Sequence, residues 1–321
     1  MSALSVQDLT VDIETPNGPL RAVNGVGFEA EQGETLALLG ESGCGKSMTA
    51  QAIVGLLEPI ASVTQGSVTL NGTDLVKASR RKRRQMAGPE LAIVFQDALT
   101  ALNPVYTVGT QLAEPFRIHR RMSAKEARGE AIELMRRVGI PHPDKRVDAF
   151  PHQFSGGMRQ RLLIAMAVAL NPTVLLADEP TTALDVTVQA QIMALLKDLR
   201  AEREMAVVLI THDLALVAEE ADKVAVMYAG HVVETGPVSE VFGDPGHPYT
   251  KGLLDSVPVH VARGEELASI GGTPPDLASI PSGCVYQARC PLARQKCRDE
   301  RPQLKATQGQ RKAACHFTEE V

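Results

Sequence analysis

Apolar and polar positions change rhythm several times along the chain, and each change predicts an element. Leu9, Val11 and Ile13 alternate with polar neighbours, and Val26, Phe28 and Ala30 do so again before Gly33. Successive strand residues face opposite sides, so two half-buried strands joined through a Pro-Asn-Gly turn are expected here. Thr35 to Leu39 is an apolar run that reads as a buried strand. Met48 to Leu57 contains no proline and sets Ile53, Leu56 and Leu57 on one helical face. Ser67 to Leu70 and Leu91 to Phe95 read as further short strands. Ser123 and Glu126 have capping-box spacing and open a helix to about Val138, with Ile132 and Met135 on its buried stripe. Gly139-Ile140-Pro141 ends it.

After Asn171-Pro172 strand and helix patterns alternate. Strands are expected at Thr173 to Ala177, Ala206 to Ile210 and Val224 to Tyr228, with helices at Val186 to about Arg203 and Leu214 to Ala221. Strands separated by helices of that length imply parallel crossovers, hence an α/β sheet. Between Gln96 and Ser155 the pattern is mostly helical, so that block is expected to be an insertion into the α/β core. Past Phe242 the texture turns to glycine and proline, which marks a boundary and a C-terminal appendage. No internal repeat or low-complexity tract is present.

The chemistry begins where the first buried strand ends. Gly40-Glu41-Ser42-Gly43-Cys44-Gly45-Lys46-Ser47 spells G-x-x-x-x-G-K-S between a strand and a helix, the context a phosphate cradle needs. Glycines let successive backbone N–H groups point inward at phosphate oxygens, and the helix start adds its positive dipole end. Lys46 supplies charge for the β- and γ-phosphates, and the Ser47 hydroxyl suits Mg2+.

Val174 to Ala177 leads into the adjacent acids Asp178 and Glu179, which a strand points to opposite sides. Asp178 suits the metal side, and Glu179 suits polarising a water for in-line attack. His212 follows the strand Val207 to Ile210, at the carboxyl edge where open α/β sheets meet ligands. Ser155-Gly156-Gly157 offers a hydroxyl and glycine N–H groups at a second helix start, and Leu162 to Leu170 continues as a buried helix.

Composition narrows the setting. The longest uninterrupted apolar run is Leu162 to Leu170, nine residues, far below a membrane span. The first residues lack a signal-peptide pattern, so a cytoplasmic location is expected, with any membrane role supplied by partners. A net charge of −5, no Trp and 3% aromatic residues argue against a nucleic-acid partner. Arg80 to Arg84 is a dense basic cluster and reads as a solvated face. Four of the five cysteines fall in the last 38 residues: Cys284, Cys290, Cys297 and Cys315, separated by five, six and seventeen residues. In a cytoplasmic chain that points to metal more than to disulfides. Four thiolates suit structural Zn2+ or an iron–sulfur cluster. The absence of a close Cys pair favours the larger centre.

The motifs Gly40 to Ser47, Gln96 after a strand, Ser155-Gly156-Gly157 with Gln160, Leu176 to Thr181, Ala183-Leu184-Asp185 and Thr211-His212-Asp213 resemble the ordered motif set of ABC transporter ATPases. Gln96-Asp97, Leu102-Asn103-Pro104, Gly246-His247-Pro248-Tyr249-Thr250 and the cysteine tail resemble, more narrowly, the oligopeptide/dipeptide importer subfamily. The resemblance implies a P-loop NTPase core with a mixed sheet over residues 1–243, a helical subdomain at about 97–165, and a small Cys-rich C-terminal domain over 244–321.

It also implies roles. Gly40, Ser42, Gly43, Cys44, Gly45, Lys46, Ser47 and Met48 would bind ATP with Gln96 and Asp178. Ser47, Gln96 and Asp178 would hold Mg2+, and Glu179, His212 and Lys46 would be catalytic. Ser155, Gly156, Gly157, Gln160 and Asp185 would serve nucleotide held by an opposing subunit. The four tail cysteines would hold a [4Fe-4S] cluster. Residues 15 to 23 lack the aromatic that many relatives stack on adenine, leaving Leu20 or Arg21 for that contact. Cys44, at a phosphate-loop position often held by Ser, brings a thiol beside the nucleotide or is a small filler.

The implied function is ATP hydrolysis coupled to peptide uptake on the cytoplasmic face of the inner membrane. The implied partners are a second, homologous ATPase subunit, two permeases and an extracytoplasmic substrate-binding protein. Relatives also serve nickel, glutathione or sugars, and a redox- or metal-sensing ATPase is the alternative from another class. The segment between Ser47 and Ser155 is too short for the coiled coil of a DNA-repair ATPase.

Overall fold

The computed structural model describes residues 2–96, 101–182, 184–257 and 269–321. The chain divides into two compact units. One comprises Ser2–Ala30, Thr35–Val76 and Leu209–Val321, and the other is chiefly Lys77–Val208.

The first unit opens with β1 (Ser2–Thr15) and β2 (Gly18–Glu31), with Pro16 and Asn17 between them, followed by β3 (Thr35–Leu39). Next come α1 (Lys46–Val54), β4 (Ala61–Leu70) and β5 (Thr73–Asp74). The antiparallel set lies in the order β2-β1-β4-β5. β3 is buried at all five positions, as its unbroken apolar run requires. Helix α1 is shorter than its periodicity predicts. Gly55, with φ 73°, turns left-handed and ends it after Val54, so Leu56 is left 55% exposed instead of completing the buried face.

In the second unit, α2 (Arg80–Met86) is capped by the Ser79 hydroxyl and carries the basic cluster, with Arg80, Arg81, Lys82 and Arg84 exposed. β6 (Leu91–Val94) precedes the helices α3 (Val108–His119), α4 (Ala124–Arg137), α5 (Pro143–Arg146) and α6 (Gly156–Val168). β7 (Val174–Asp178) pairs in parallel with β6, and α7 (Val186–Arg203) leads on to β8 (Ala206–Thr211). The capping box of Ser123 and Glu126 is formed as its spacing predicts. Phe116, Leu112, Met135, Leu162 and their neighbours make the apolar core that holds the helices together, each large side chain contributing about 1.5–3 kcal/mol on burial.

The chain then returns to the first unit with α8 (Leu214–Glu220), β9 (Lys223–Tyr228) and β10 (His231–Pro237). α9 (Val238–Gly243), α10 (Pro248–Asp255), α11 (Gln295–Asp299), β11 (Lys305–Ala306) and β12 (Lys312–Ala313) complete it. Its strands run β11-β12-β10-β9-β3, with β3 and β9 parallel and the rest antiparallel. The residues past Phe242 share one core with β3, β9 and β10, in which Tyr228, Tyr249, Tyr286, Cys284 and Cys297 are buried together. β10 has no counterpart in the sequence pattern. Its Glu234 is fully buried, accepting from the N–H groups of Gly246 at 2.6 Å and His247 at 3.1 Å.

Candidate functional site

The residues singled out by sequence fall on both units, and each half has its own geometry. In the first unit β3 ends at Leu39, and the chain turns through Gly40 to Gly45 into α1. Two glycines make that turn. A Cβ on Gly40 would lie 2.3 Å from the Met227 carbonyl oxygen, and Gly45 caps α1 at φ 105°. No side chain caps the helix, so its first N–H groups keep the capacity to bind an anion. The Lys46 ammonium is buried and donates to the carbonyls of Gly40 at 2.8 Å and Glu41 at 3.0 Å. Burial raises the pKa of the Cys44 thiol, with the Lys46 charge opposing, so it stays a thiol at neutral pH. Ser42 and Gly43 are exposed, and Ser47 and Met48 are half-buried. His212 stands exposed one residue past β8, and Asp213 caps α8 through bonds from Ala215 at 2.9 Å and Leu216 at 3.1 Å. Arg21 is engaged by Asp12 at 2.9 Å, which lowers the pKa of that carboxyl chiefly through the hydrogen bond.

In the second unit Asp178 ends β7 and is buried. Glu179 follows with φ 45°, an unusual backbone state for a residue with a side chain. Its carboxylate Oε2 accepts from Gln96 Nε2 at 2.7 Å and from Thr182 Oγ1 at 2.9 Å. Structure thus brings Gln96 and Glu179 together from positions far apart in the chain, and adds Thr182, which pattern reading did not single out. The third member of the expected metal set, Ser47, belongs to the other unit.

Ser155 caps α6, its Oγ accepting from Met158 N at 3.4 Å, with Ser155 and Gly156 exposed and Gly157 half-buried. Gln160 is buried with no hydrogen-bond partner for its Nε2 among the described residues. Asp185 caps α7 and accepts from Val188 N at 3.0 Å. Asp97 and Ala183 lie outside the described residues.

Cys284, Cys290, Cys297 and Cys315 all line one cavity of about 10 Å³, together with His247, Tyr286, His316 and Phe317. All four are free thiols. The expected metal centre is nonetheless not formed. Among the described residues no group of three or more His, Cys, Asp or Glu is placed to hold a metal ion. Side chains pack into the cavity, and burial raises the thiol pKa of Cys284, Cys290 and Cys315, with Cys290 pushed up to about 11. The donor chemistry fits a four-thiolate centre. Metal ligation would require the thiols to ionise, which their burial opposes.

The sequence model described as ABC transporter matches residues 23–182, and that described as oligopeptide/dipeptide transporter, C-terminal region, matches residues 233–297. The dipeptide transport ATP-binding protein DppD of Bacillus subtilis is 53% identical over 90% of this chain and 86% of the relative. The chain belongs to the ABC transporter family. DppD of Escherichia coli is 47% identical over 99% of this chain and 97% of its own. Among solved structures, the dimeric post-hydrolysis state of the cassette MJ0796, bound to ADP and Pi, superimposes with a TM-score of 0.66 at 27% identity. It covers 73% of this chain and 98% of its own. The fold is therefore that of the ABC ATPases, a P-loop core with a mixed sheet and added helices, and this cassette is an ATPase of the transporter type, whose members use ATP and Mg2+. No helix among the described residues is long and apolar enough to cross a membrane.

Two further residues meet the phosphate loop and were not legible as site residues. The Glu41 N–H donates to Tyr249 Oη at 3.0 Å, and its carboxylate is held by Arg289. Glu41 occupies a variable motif position, so only coordinates reveal its contacts.

Proposed function

We propose that this cassette is the ATP-hydrolysing subunit of an importer that carries di- or oligopeptides across the cytoplasmic membrane, bound peripherally at its cytoplasmic face. The observation that carries the reading is the pairing of an ABC core with an oligopeptide/dipeptide transporter C-terminal region in one chain, at 53% identity to a dipeptide transport ATP-binding protein.

In this reading Gly40, Ser42, Gly43, Cys44, Gly45, Lys46, Ser47 and Met48 wrap the phosphates with loop and helix N–H groups. Lys46 offsets the charge that grows on the γ-phosphate. Ser47, Asp178 and Gln96 would supply the oxygen ligands Mg2+ prefers, and the ion would offset negative charge on the phosphates. The Glu179 carboxylate accepts a proton from the attacking water as its oxygen bonds to the γ-phosphorus. The bond to the bridging oxygen breaks, and ADP leaves with that electron pair. Gln96 and Thr182 orient the carboxylate beforehand, and His212 orients the water and the γ-phosphate.

Ser155, Gly156, Gly157, Gln160 and Asp185 serve nucleotide on an opposing cassette, most simply a homologous but different subunit, above which sit two permeases fed by an extracytoplasmic binding protein. Two features support this: the exposure of Ser155 and Gly156 at the start of α6, and the dimeric state of the solved relative. Cargo is tested by reconstituting the chain with its permeases and binding protein and comparing ATP-driven uptake of di- and oligopeptides, nickel, glutathione and sugars. Uptake confined to peptides is expected. Uptake of another class alone would contradict the peptide reading.

The four tail cysteines are proposed to hold a [4Fe-4S] cluster that staples the C-terminal region. Convergence of four thiols on one cavity supports it. Anaerobic purification followed by metal and sulfide analysis is expected to give about four iron and four sulfide per chain. One zinc without sulfide, or no metal, would sink the cluster.

A further inference from the structure

The motif Gly246-His247-Pro248-Tyr249-Thr250 and the segment between Cys284 and Cys290 play no part in the chemistry above, yet both reach the phosphate loop. Tyr249 is fully buried and takes the Glu41 N–H on its hydroxyl at 3.0 Å. Arg289 grips the Glu41 carboxylate with both terminal nitrogens, Nη1 to Oε2 at 2.7 Å and Nη2 to Oε1 at 3.1 Å. This forked pair is the strong, directional form of a charge-assisted hydrogen bond.

Arg289 is itself held in place. Its Nε donates to the Gly271 carbonyl at 2.9 Å, and its guanidinium lies 5.7 Å from the Tyr228 ring centre. Tyr228 packs on Tyr249 at 4.6 Å and on Tyr286 at 5.2 Å, so both contacts to Glu41 come from one rigid aromatic group. From Glu41 the constraint passes directly to the functional ammonium. The Gly40 and Glu41 carbonyls accept from Lys46 Nζ at 2.8 and 3.0 Å, with Cys44 Sγ farther off at 3.9 Å.

Anchoring the C-terminal region does not need this pair, because the shared core of Tyr228, Val233, Val241, Tyr249 and Tyr286 already fixes it. A charge pair with Arg289 at 4% exposure also adds little net stability compared with apolar packing. What it adds is geometry at one point of the loop. We propose that Tyr249 and Arg289 are positioning residues for the phosphate loop, fixing Glu41 and through it Lys46, so that the C-terminal region sets this cassette's affinity for ATP. The inference rests on the reading that the loop of Lys46 binds ATP.

Its consequence is a split between binding and chemistry. Arg289→Gln, assayed in the assembled transporter, is expected to raise KM for ATP about tenfold, the worth of a hydrogen-bonded charge pair, with a smaller fall in kcat. Arg289→Lys keeps the charge and loses the fork, so its KM should fall between the two. Tyr249→Phe keeps the ring and is expected to raise KM about threefold, the worth of one ordinary hydrogen bond. Hydrogen exchange at residues 41–46 should quicken in each variant while the remainder of β3 and α1 stays protected. Unchanged KM in both Arg289→Gln and Tyr249→Phe would overturn the proposal. So would a fall in kcat matched by a lower melting temperature with KM unmoved, which is the signature of general destabilisation. Should Arg289→Gln fail to fold, Tyr249→Phe and Glu41→Gln decide alone. Lys46→Ala separates the two levels: if it still binds ATP at the wild-type affinity, the reading of the loop fails, and if it does not, the KM values judge the clamp.

Discussion

Glu179→Gln is expected to bind ATP and Mg2+ as the wild type does and to lose about a hundredfold or more of its ATP turnover. The amide keeps the shape and can still meet Gln96 and Thr182, which hold the carboxylate at 2.7 and 2.9 Å. What it lacks is an acceptor basic enough to take the proton of the attacking water. Steady-state hydrolysis beside equilibrium nucleotide binding separates these effects. Turnover near the wild-type rate would remove Glu179 from the role and turn attention to His212.

Ser155→Arg is expected to lower hydrolysis by the assembled transporter about a hundredfold while leaving nucleotide affinity of the isolated chain within about twofold. Ser155 is exposed at the start of α6, and Arg there places a long side chain where the opposing cassette's γ-phosphate is proposed to sit. Losing the cap costs the helix only about 1 kcal/mol, too little to unfold the unit. An equal loss of ATP binding by the isolated chain would contradict a site that serves the partner.

How much of this was legible in the sequence depended on whether a local rule decided the outcome. The run Thr35 to Leu39, the capping box at Ser123 and Glu126, and the strand into Asp178 are governed by short-range pattern, and all three form as expected. The end of α1 is not legible from apolar spacing, which runs on past Gly55, whose backbone freedom stops the helix. β10 is not legible from pattern because Glu234 sits fully buried inside it, made tolerable by the N–H groups of Gly246 and His247, ten or more residues later, and by the Arg311 charge at 4.0 Å. The glycine-bearing helix starts at Lys46 and Gly156 were legible as motifs because their residue spacing is local, and they form as helices where expected. The hold of Tyr249 and Arg289 on Glu41 was not, since no spacing rule joins residue 41 to residues 249 and 289. For the tail, the count and spacing of cysteines point to a metal centre; the structure brings all four, as free thiols, to the lining of one cavity, with no group of three or more placed to hold a metal ion among the described residues.

The central claim is that ATP held by the loop of Lys46 drives uptake. Labelled dipeptide uptake into proteoliposomes containing the full transporter, with ATP and Mg2+ on the side of the cassettes, tests it most directly. Wild-type uptake should require ATP, and Lys46→Ala should bring it to the background seen without nucleotide. Uptake by Lys46→Ala at the wild-type rate, or wild-type uptake without ATP, would contradict the account.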